Sequence, residues 1–599
     1  MKKLHWPKNK KVWVAIGALL VAALVAFLCI WQQVNQPGTD PTDPSATQST
    51  QKDPLLPDFI GMAKAIKNNL VLALQDMKQS NWDGAREKLL AVQKDIATVR
   101  SFADKLPFLI DLIPQAKSLY DLLCAVDMAL PDVLLPAVDL LESRPLSALS
   151  VGDGFDVTLL HDYISFAESV MPKLEQLLAA ANAADLSILD SEGKITQALE
   201  SVNQLMEGYR EHPQILPMLK TILGEQEDRF YLIAVQNPSE IRASGGFPGF
   251  MGTLRIENGI LTLGDFESVV KFLAAKKPNN IQITKEETAL FNYLSTMNIP
   301  RDADLCPDFV RVAHIWASSY EEWRKQEVAG IISITPHLVQ RLLAATGTEI
   351  ALSDGWVLNG ENALRVLIHD IYFKYFDRRY PHPDRLKLSD QLFAEAAEQT
   401  MKVLTGDISA DKLLAYLPVL KESIADRTLM LWLKDEQEQS FVVDMGWHGG
   451  LNTDPQKPEA GVYVNVVSAS KMGWFLLMDT QIGQRTQNAD GSYTYPITVT
   501  FSNNVTEEEI RAASTYISGG LAGAMRAVAY FFAPAGGTVD HFTASNGKTI
   551  HIMPYNGMTL GFTGDFLVKP NEEITITYTV TTAPGVETPL VFSKTPTAQ

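Results

Sequence analysis

An uncharged run from Val12 to Trp31 constrains this chain more than any other feature. About twenty apolar residues suffice to cross about 30 Å of hydrocarbon as one helix. Lys2, Lys3, Lys8, Lys10 and Lys11 precede the run and little positive charge follows it closely, which predicts a cytoplasmic N-terminus. Trp13 and Trp31 stand at its two ends, where amphipathic rings favour the membrane interface. A cleaved signal peptide would have an apolar core of about 7–15 residues and a small-x-small site. The segment Trp31-Gln32-Gln33-Val34-Asn35-Gln36 offers no such site. The expectation is an integral, single-pass membrane protein: cytoplasmic basic tail over 1–11, transmembrane helix over 12–31, everything later outside the cytoplasm.

With 599 residues and 46% hydrophobic content, the chain has material for roughly three or four domains. Its 51 Lys+Arg against 70 Asp+Glu give a formal charge of −19. Such a surface repels phosphate backbones, so nucleic acid is not an expected partner. Cys29 lies in the apolar run; whether Cys124 and Cys306 pair stays open.

Residues 32–57, QQVNQPGTDPTDPSATQSTQKDPLLP, are rich in Pro, Thr, Ser and Asp and read as an extended linker. Over 58–225 apolar residues recur at three- and four-residue spacing, the pattern of a helical bundle. Breaks fall at Ser80-Asn81, Leu106-Pro107 and Val151-Gly152-Asp153-Gly154. From Arg229 the texture changes. Phe230 to Val235 reads as a strand, and Glu257-Asn258-Gly259 is a hairpin turn. Ile331 to Ile334 is a strand that runs into a helix opened by Thr335-Pro336. After Asp426, Ile497–Phe501 and Ile574–Val580 alternate as half-buried strands do, with hairpin turns expected at Asp490-Gly491 and Asn546-Gly547. The expected fold class is multidomain: a transmembrane helix, an all-α helical bundle, a central α/β (mixed sheet with helices) core over 226–410, and a C-terminal all-β sandwich-like domain over 411–599.

The stretch Asn237-Pro238-Ser239-Glu240-Ile241-Arg242-Ala243-Ser244-Gly245-Gly246-Phe247-Pro248-Gly249 follows a strand and resembles a bacterial envelope family catalogued as domain of unknown function 4012. Asp308-Phe309, Val328 to Pro336, Leu342 to Gly347 and Asn359 to Leu364 follow in that family's order. The strand-to-helix step followed by Leu358 to Leu364 is also similar to the LytR–CpsA–Psr family. That likeness implies membrane-anchored transfer of polysaccharides from a lipid pyrophosphate to peptidoglycan, using arginines and a divalent cation, Mg²⁺ by analogy. Arg242 falls at that family's first arginine, and Arg378, Arg379 and Arg385 fall near its last cluster. Its Pro-Arg-Asp signature has no counterpart here: Asp265 is followed by Phe266-Glu267-Ser268-Val269-Val270.

The candidate ligand-binding residues are Arg242, Gly245, Gly246, Asp265, Lys374, Arg378, Arg379 and Arg385. Glycines let backbone approach a ligand closely, and a guanidinium matches phosphate oxygens as a planar fork. The bland reading is a glycine turn with Arg242 paired to a buried carboxylate. Asp308 and Asp370 are further carboxylates of mainly structural expectation, and His369, beside Asp370, reads as a core or surface histidine. Trp447-His448 reads as a packed loop, and Lys471, at a lysine position of the uncharacterised family, as a surface lysine. No nucleophile elbow, Walker loop or dedicated metal cage is present in the sequence. Two functions are expected from this. One is an envelope protein binding or transferring lipid-pyrophosphate-linked glycopolymers, as a glycopolymer phosphotransferase if it is an enzyme. The other is a non-catalytic scaffold or adhesion-like ectodomain that binds envelope partners.

Overall fold

The computed structural model describes residues 59–105, 114–152, 154–184, 194–273, 278, 280–292, 297–406 and 410–598. The tail 1–11, the run 12–31 and the linker 32–57 lie outside the described residues. Among the described residues no helix is long and apolar enough to cross a membrane. The longest, Val157–Ala183, has 27 residues but carries Asp162, Glu168, Lys173 and Glu175. The single-pass, membrane-integral reading and the N-in, C-out localisation built on it rested on 12–31, outside the described residues, and the described helices give them no support. The described chain divides into two compact units, one within 11–225 plus 408–417 and one within 226–407 plus 418–599.

The first unit is helical: α1 (Phe59–Lys78), α2 (Trp82–Ala103), α3 (Pro114–Ala129), α4 (Leu135–Ser143), α5 (Val157–Ala183), α6 (Lys194–Glu211) and α7 (Ile215–Ile222). The break at Ser80-Asn81 is a tight turn with Ser80 at φ 57°, which folds α1 onto α2 through Leu74, Leu89 and Val92. The break near Gly152 is a two-strand hairpin, β1 (Ser150–Val151) with β2 (Gly154–Asp156). Asp156 then caps α5, its carboxylate accepting from the backbone N–H of Thr158 and Leu159. Arg86 ties α2 to α4 through Asp139 (2.8 Å) and Glu142 (2.6 Å).

The second unit is built on strands β3 (Arg229–Asn237), β4 (Phe247–Glu257), β5 (Ile260–Leu263), β6 (Glu267–Ser268), β7 (Gly330–Ile334) and β10 (Leu429–Leu433), with the small pair β8 (Ile350–Ala351) and β9 (Val357–Leu358) beside them. Pairing runs β5-β4-β3-β7-β10 with β6 on β4. Only β3 and β7 are parallel neighbours within this run. Asn258 (φ 52°) and Gly259 (φ 76°) form the expected hairpin turn between β4 and β5. Around the sheet lie α8 (Lys285–Phe291), α9 (Phe309–Arg324), α10 (Pro336–Thr346), α11 (Ile371–Phe376) and α12 (Arg385–Thr405).

Two further sheets follow. One is ordered β17-β18-β15-β11-β20, from β11 (Glu459–Val466), β15 (Met525–Phe532), β17 (His551–Tyr555), β18 (Met558–Val568) and β20 (Val591–Lys594). The other is ordered β12-β14-β19-β16, from β12 (Leu476–Ile482), β14 (Tyr493–Asn503), β16 (Thr538–Ala544) and β19 (Glu573–Thr581), with β13 (Thr486–Gln487) on β14. The short α13 (Glu507–Ala512) and α14 (Thr515–Ser518) follow β14. Asn546-Gly547 is a turn but not a hairpin, because β16 pairs with β19 and β17 with β18.

The separate α/β core and all-β domain are therefore corrected to one mixed α/β body. Strand β10 lies past the expected boundary at 410 and completes the β3–β7 sheet, antiparallel to β7. The sheet of β11 and β15 is buried on both faces. Val462, Val464, Ala527, Ala529 and Phe531 pack with Val499 and Ile576 of the other β-sheet. Their alternates Tyr463, Val528, Tyr530 and Phe532 pack with Leu232, Phe309 and Trp316 of the α/β layer. A sheet covered on both sides reads as a continuous apolar run instead of an alternation, so its strands cannot belong to a free-standing sandwich.

Candidate functional site

The loop after β3 carries the suggestive glycines, and its geometry gives them a local purpose. Gly245 and Gly246 hold φ of +136° and +133°, a conformation side chains rarely adopt. A Cβ on Gly246 would stand 2.5 Å from the carbonyl of Asn237, and one on Gly245 would stand 2.3 Å from Oε1 of Gln236. Both glycines let the loop close down on its own strand.

Arg242, 1% exposed, points into this fold-back. Its Nη2 donates to Oε1 of Glu240 at 2.7 Å and lies 3.9 Å from Oδ1 of Asp302. The other oxygen of Glu240 accepts from Nζ of Lys471 at 2.7 Å. Lys471 is buried, against the surface position expected for it, with its ammonium near the rings of Phe247 (5.4 Å), Tyr372 (5.6 Å) and Tyr516 (5.8 Å). Burial works to raise the Glu240 carboxyl, but Lys471 and Arg242 outweigh it and hold it below the usual range. Asp304 is the opposite case. Full burial pushes its carboxyl well above the usual range, Arg242 opposing only in part. Among the described residues neither of its side-chain oxygens has a hydrogen-bond partner, and neither do Nε and Nη1 of Arg242.

The other candidates lie apart from this cluster. Asp265 is exposed between β5 and β6. Lys374 pairs with Asp354 at 3.0 Å and sits over Trp356. Arg379 pairs with Asp377 at 2.7 Å and reaches Glu508 at 3.4 Å, while Arg378 is exposed and gives its backbone N–H to Ala512. Arg385 donates to the carbonyl of His382 and lies over Phe376. Phe376 stacks on Tyr516 (4.3 Å), which in turn faces Lys471. Phe376, Tyr516, Lys471 and Glu240 thus stand in sequence between Arg385 and Arg242.

Asp308 caps α9, accepting from the backbone N–H of Val310, and burial raises its carboxyl. His369 and Asp370 are bonded at 2.6 Å despite being neighbours, where the helix widens into a π turn over Val366–Asp370. The other ring nitrogen of His369 lies 3.2 Å from Glu509 of α13. Both Cys124 and Cys306 are free thiols. Among the described residues no group of three or more His, Cys, Asp or Glu is placed to hold a metal ion.

A cavity of about 60 Å³ opens at the carboxyl ends of β3 and β7, between Gln236, Asn237, Thr335 and Pro336. This is where open α/β sheets accept ligands. Phe393 and Ala396 of α12 roof it, and none of Arg242, Arg378, Arg379 or Arg385 lines it. Reading the residues in order along the chain missed Glu240, Asp302, Asp304 and Tyr372. The one available signal was the acid two residues before Arg242.

Residues 226–372 match the model of a family described as a protein of unknown function (DUF4012), so the resemblance to that family is shown over this stretch. It takes in Glu240, Arg242, Asp302, Asp304 and Tyr372 and stops before Lys471. No curated protein and no solved structure matches the chain, and the likeness to the LytR–CpsA–Psr family stands on its sequence pieces alone.

Proposed function

We propose that this chain binds a lipid-pyrophosphate-linked glycopolymer and holds it without transferring it. The cavity at the carboxyl ends of β3 and β7 carries the reading. Its lining of Val235, Phe250, Leu338, Val339, Leu342 and Phe393 suits a prenyl chain. At about 60 Å³ it is well below the roughly 300–1,000 Å³ of small-molecule sites, so a bound chain requires α12 to shift. Holding without transfer is supported by Arg242, whose charge is already matched by Glu240 and Asp302. That guanidinium is buried and lines no part of the cavity, so its open Nε and Nη1 do not face a pyrophosphate bound there.

Calorimetric titration of the purified chain with farnesyl pyrophosphate, farnesol and inorganic pyrophosphate tests this. The two prenyl compounds should bind saturably, and Ala396→Trp, which fills the roof, should weaken both by at least about tenfold. Turnover of the pyrophosphate would overturn the non-transfer part. The small volume favours a second reading, a non-catalytic scaffold that engages partners through its surface. Absence of binding by both prenyl compounds would select it.

A further inference from the structure

The β-layers carry a second concavity that shares no lining residue with the cavity under α12. It is an open groove of about 540 Å³ lined by Leu521, Arg526, Asn546, Asp565, Lys569 and Glu572, among others, within the size range of small-ligand sites. Its floor is the register of β15 against β18, where Arg526 lies opposite Leu567. Leu521 is held over one side by a turn in which Gly519, Gly520, Ala522 and Gly523 all have positive φ. Leu567, 45% exposed, gives the groove an apolar patch.

The polar groups are of both kinds. Arg526 uses Nε on Oδ2 of Asp565 at 2.7 Å and is half exposed, which leaves its two Nη groups for a ligand. Lys569 is exposed, with its ammonium uncommitted among the described residues. Asn546 also lines the groove. Asp565 and Glu572 supply acceptors; Glu572 spends one oxygen on the backbone N–H of Lys569 at 2.8 Å.

We propose that this groove is a saccharide site whose ligand carries a carboxylate, a uronic acid residue. A phosphate monoester carries about −1.5 to −2 against the single charge of a carboxylate, so Asp565 and Glu572 repel it more strongly. A neutral sugar would leave Lys569 and the outer edge of Arg526 without a counter-charge. A uronic acid uses both sets: its carboxylate takes the Arg526 fork and Lys569, and its hydroxyls donate to Asp565 and Glu572. The proposal stands on this groove and does not rest on the cavity under α12.

The test titrates the purified chain with trigalacturonate, neutral trigalactose and tripolyphosphate. Trigalacturonate should bind at least about tenfold more tightly than either of the others. Lys569→Ala and Arg526→Gln should each weaken it severalfold; both residues are exposed, so folding is little affected. Glu572→Gln should weaken trigalacturonate while strengthening tripolyphosphate, and Ala396→Trp should change neither. Equal binding of the neutral trisaccharide, tighter binding of tripolyphosphate, binding unchanged by Lys569→Ala and Arg526→Gln, or no binding at all would each overturn the proposal.

Discussion

Lys471 and Glu240 are separated by 231 residues and bonded at 2.7 Å. The bond joins the loop after β3 to the loop after β11, and Arg242 takes the second oxygen of the same carboxylate. Glu240 is therefore the shared counter-ion of two buried cations, and removing it differs from removing either cation. Glu240→Gln should cost about 3–5 kcal/mol, because it takes the carboxylate from Lys471 and leaves Arg242 only the longer contact to Asp302 at 3.9 Å. Lys471→Met should cost less, since Arg242 still answers the carboxylate. Urea unfolding of the two variants checks the order, and a larger loss in Lys471→Met would refute it. The pH dependence has a definite sign. A carboxyl held low in the folded state contributes stability that is complete above the ordinary glutamate value, about 4.3. That stability is lost as pH falls through the lower folded value. Glu240→Gln should remove this part of the acid loss.

Asp304 titrates in the other direction. Its folded-state carboxyl is raised by burial, so above the ordinary aspartate value of about 3.9 the folded chain holds a proton that the unfolded chain releases. Stability from this group is complete below that value and is lost as pH rises through the raised one. Asp304→Asn stays neutral in both states. Its stability relative to the parent should climb between pH 4 and pH 8 in chemical-denaturation series. A flat difference across that range would mean that Arg242 keeps Asp304 ionised.

How much of this was legible in the sequence depends on the range of the interaction. Asn258-Gly259 declares its hairpin because a type I′ turn needs two residues at positive φ, and both have it. Thr335-Pro336 declares a helix start for an equally local reason. Strand β14 alternates because only one of its faces meets the core. Strand β11 does not alternate, and its Gly461 to Val466 run, buried throughout, was itself the signal that a third layer covers it. The Glu240–Lys471 bond had no local signal, because each residue alone reads as a surface charge. His369 is the satisfied core histidine the sequence suggested; the bond to its own neighbour Asp370 and the one to Glu509 were not legible there.

Two half-buried histidines should set the acid limit of stability on the milder side. His337 and His448 are both lowered to about 4, chiefly by burial; Arg427 adds to the effect at His448 and Arg341 at His337. The unfolded residues titrate near about 6.5, so the unfolded chain binds more protons between that value and 4. Stability should fall as pH drops through this window and level off below it, by up to about 3 kcal/mol per residue. His448→Gln and His337→Gln, followed by urea midpoints from pH 7 to pH 4, should each flatten part of the slope. His337 should carry an extra cost at every pH, since its Nε2 also bonds the carbonyl of Thr597 at 3.0 Å.

The glycines after β3 offer the sharpest separation between a ligand loop and a structural one. Gly246→Ala sets a methyl 2.5 Å from fixed backbone at φ +133° and should destabilise by about 2–4 kcal/mol. Gly245→Ala meets the end of the Gln236 side chain, which can swing aside, so its cost should be smaller, roughly 1–2 kcal/mol of backbone strain. Gly249→Ala meets nothing within 4 Å and should lie within about 0.5 kcal/mol of the parent. Thermal unfolding gives the order Gly246, Gly245, Gly249. A loop shaped for a ligand would break that order: all three variants would fold alike, and the losses would appear only in binding.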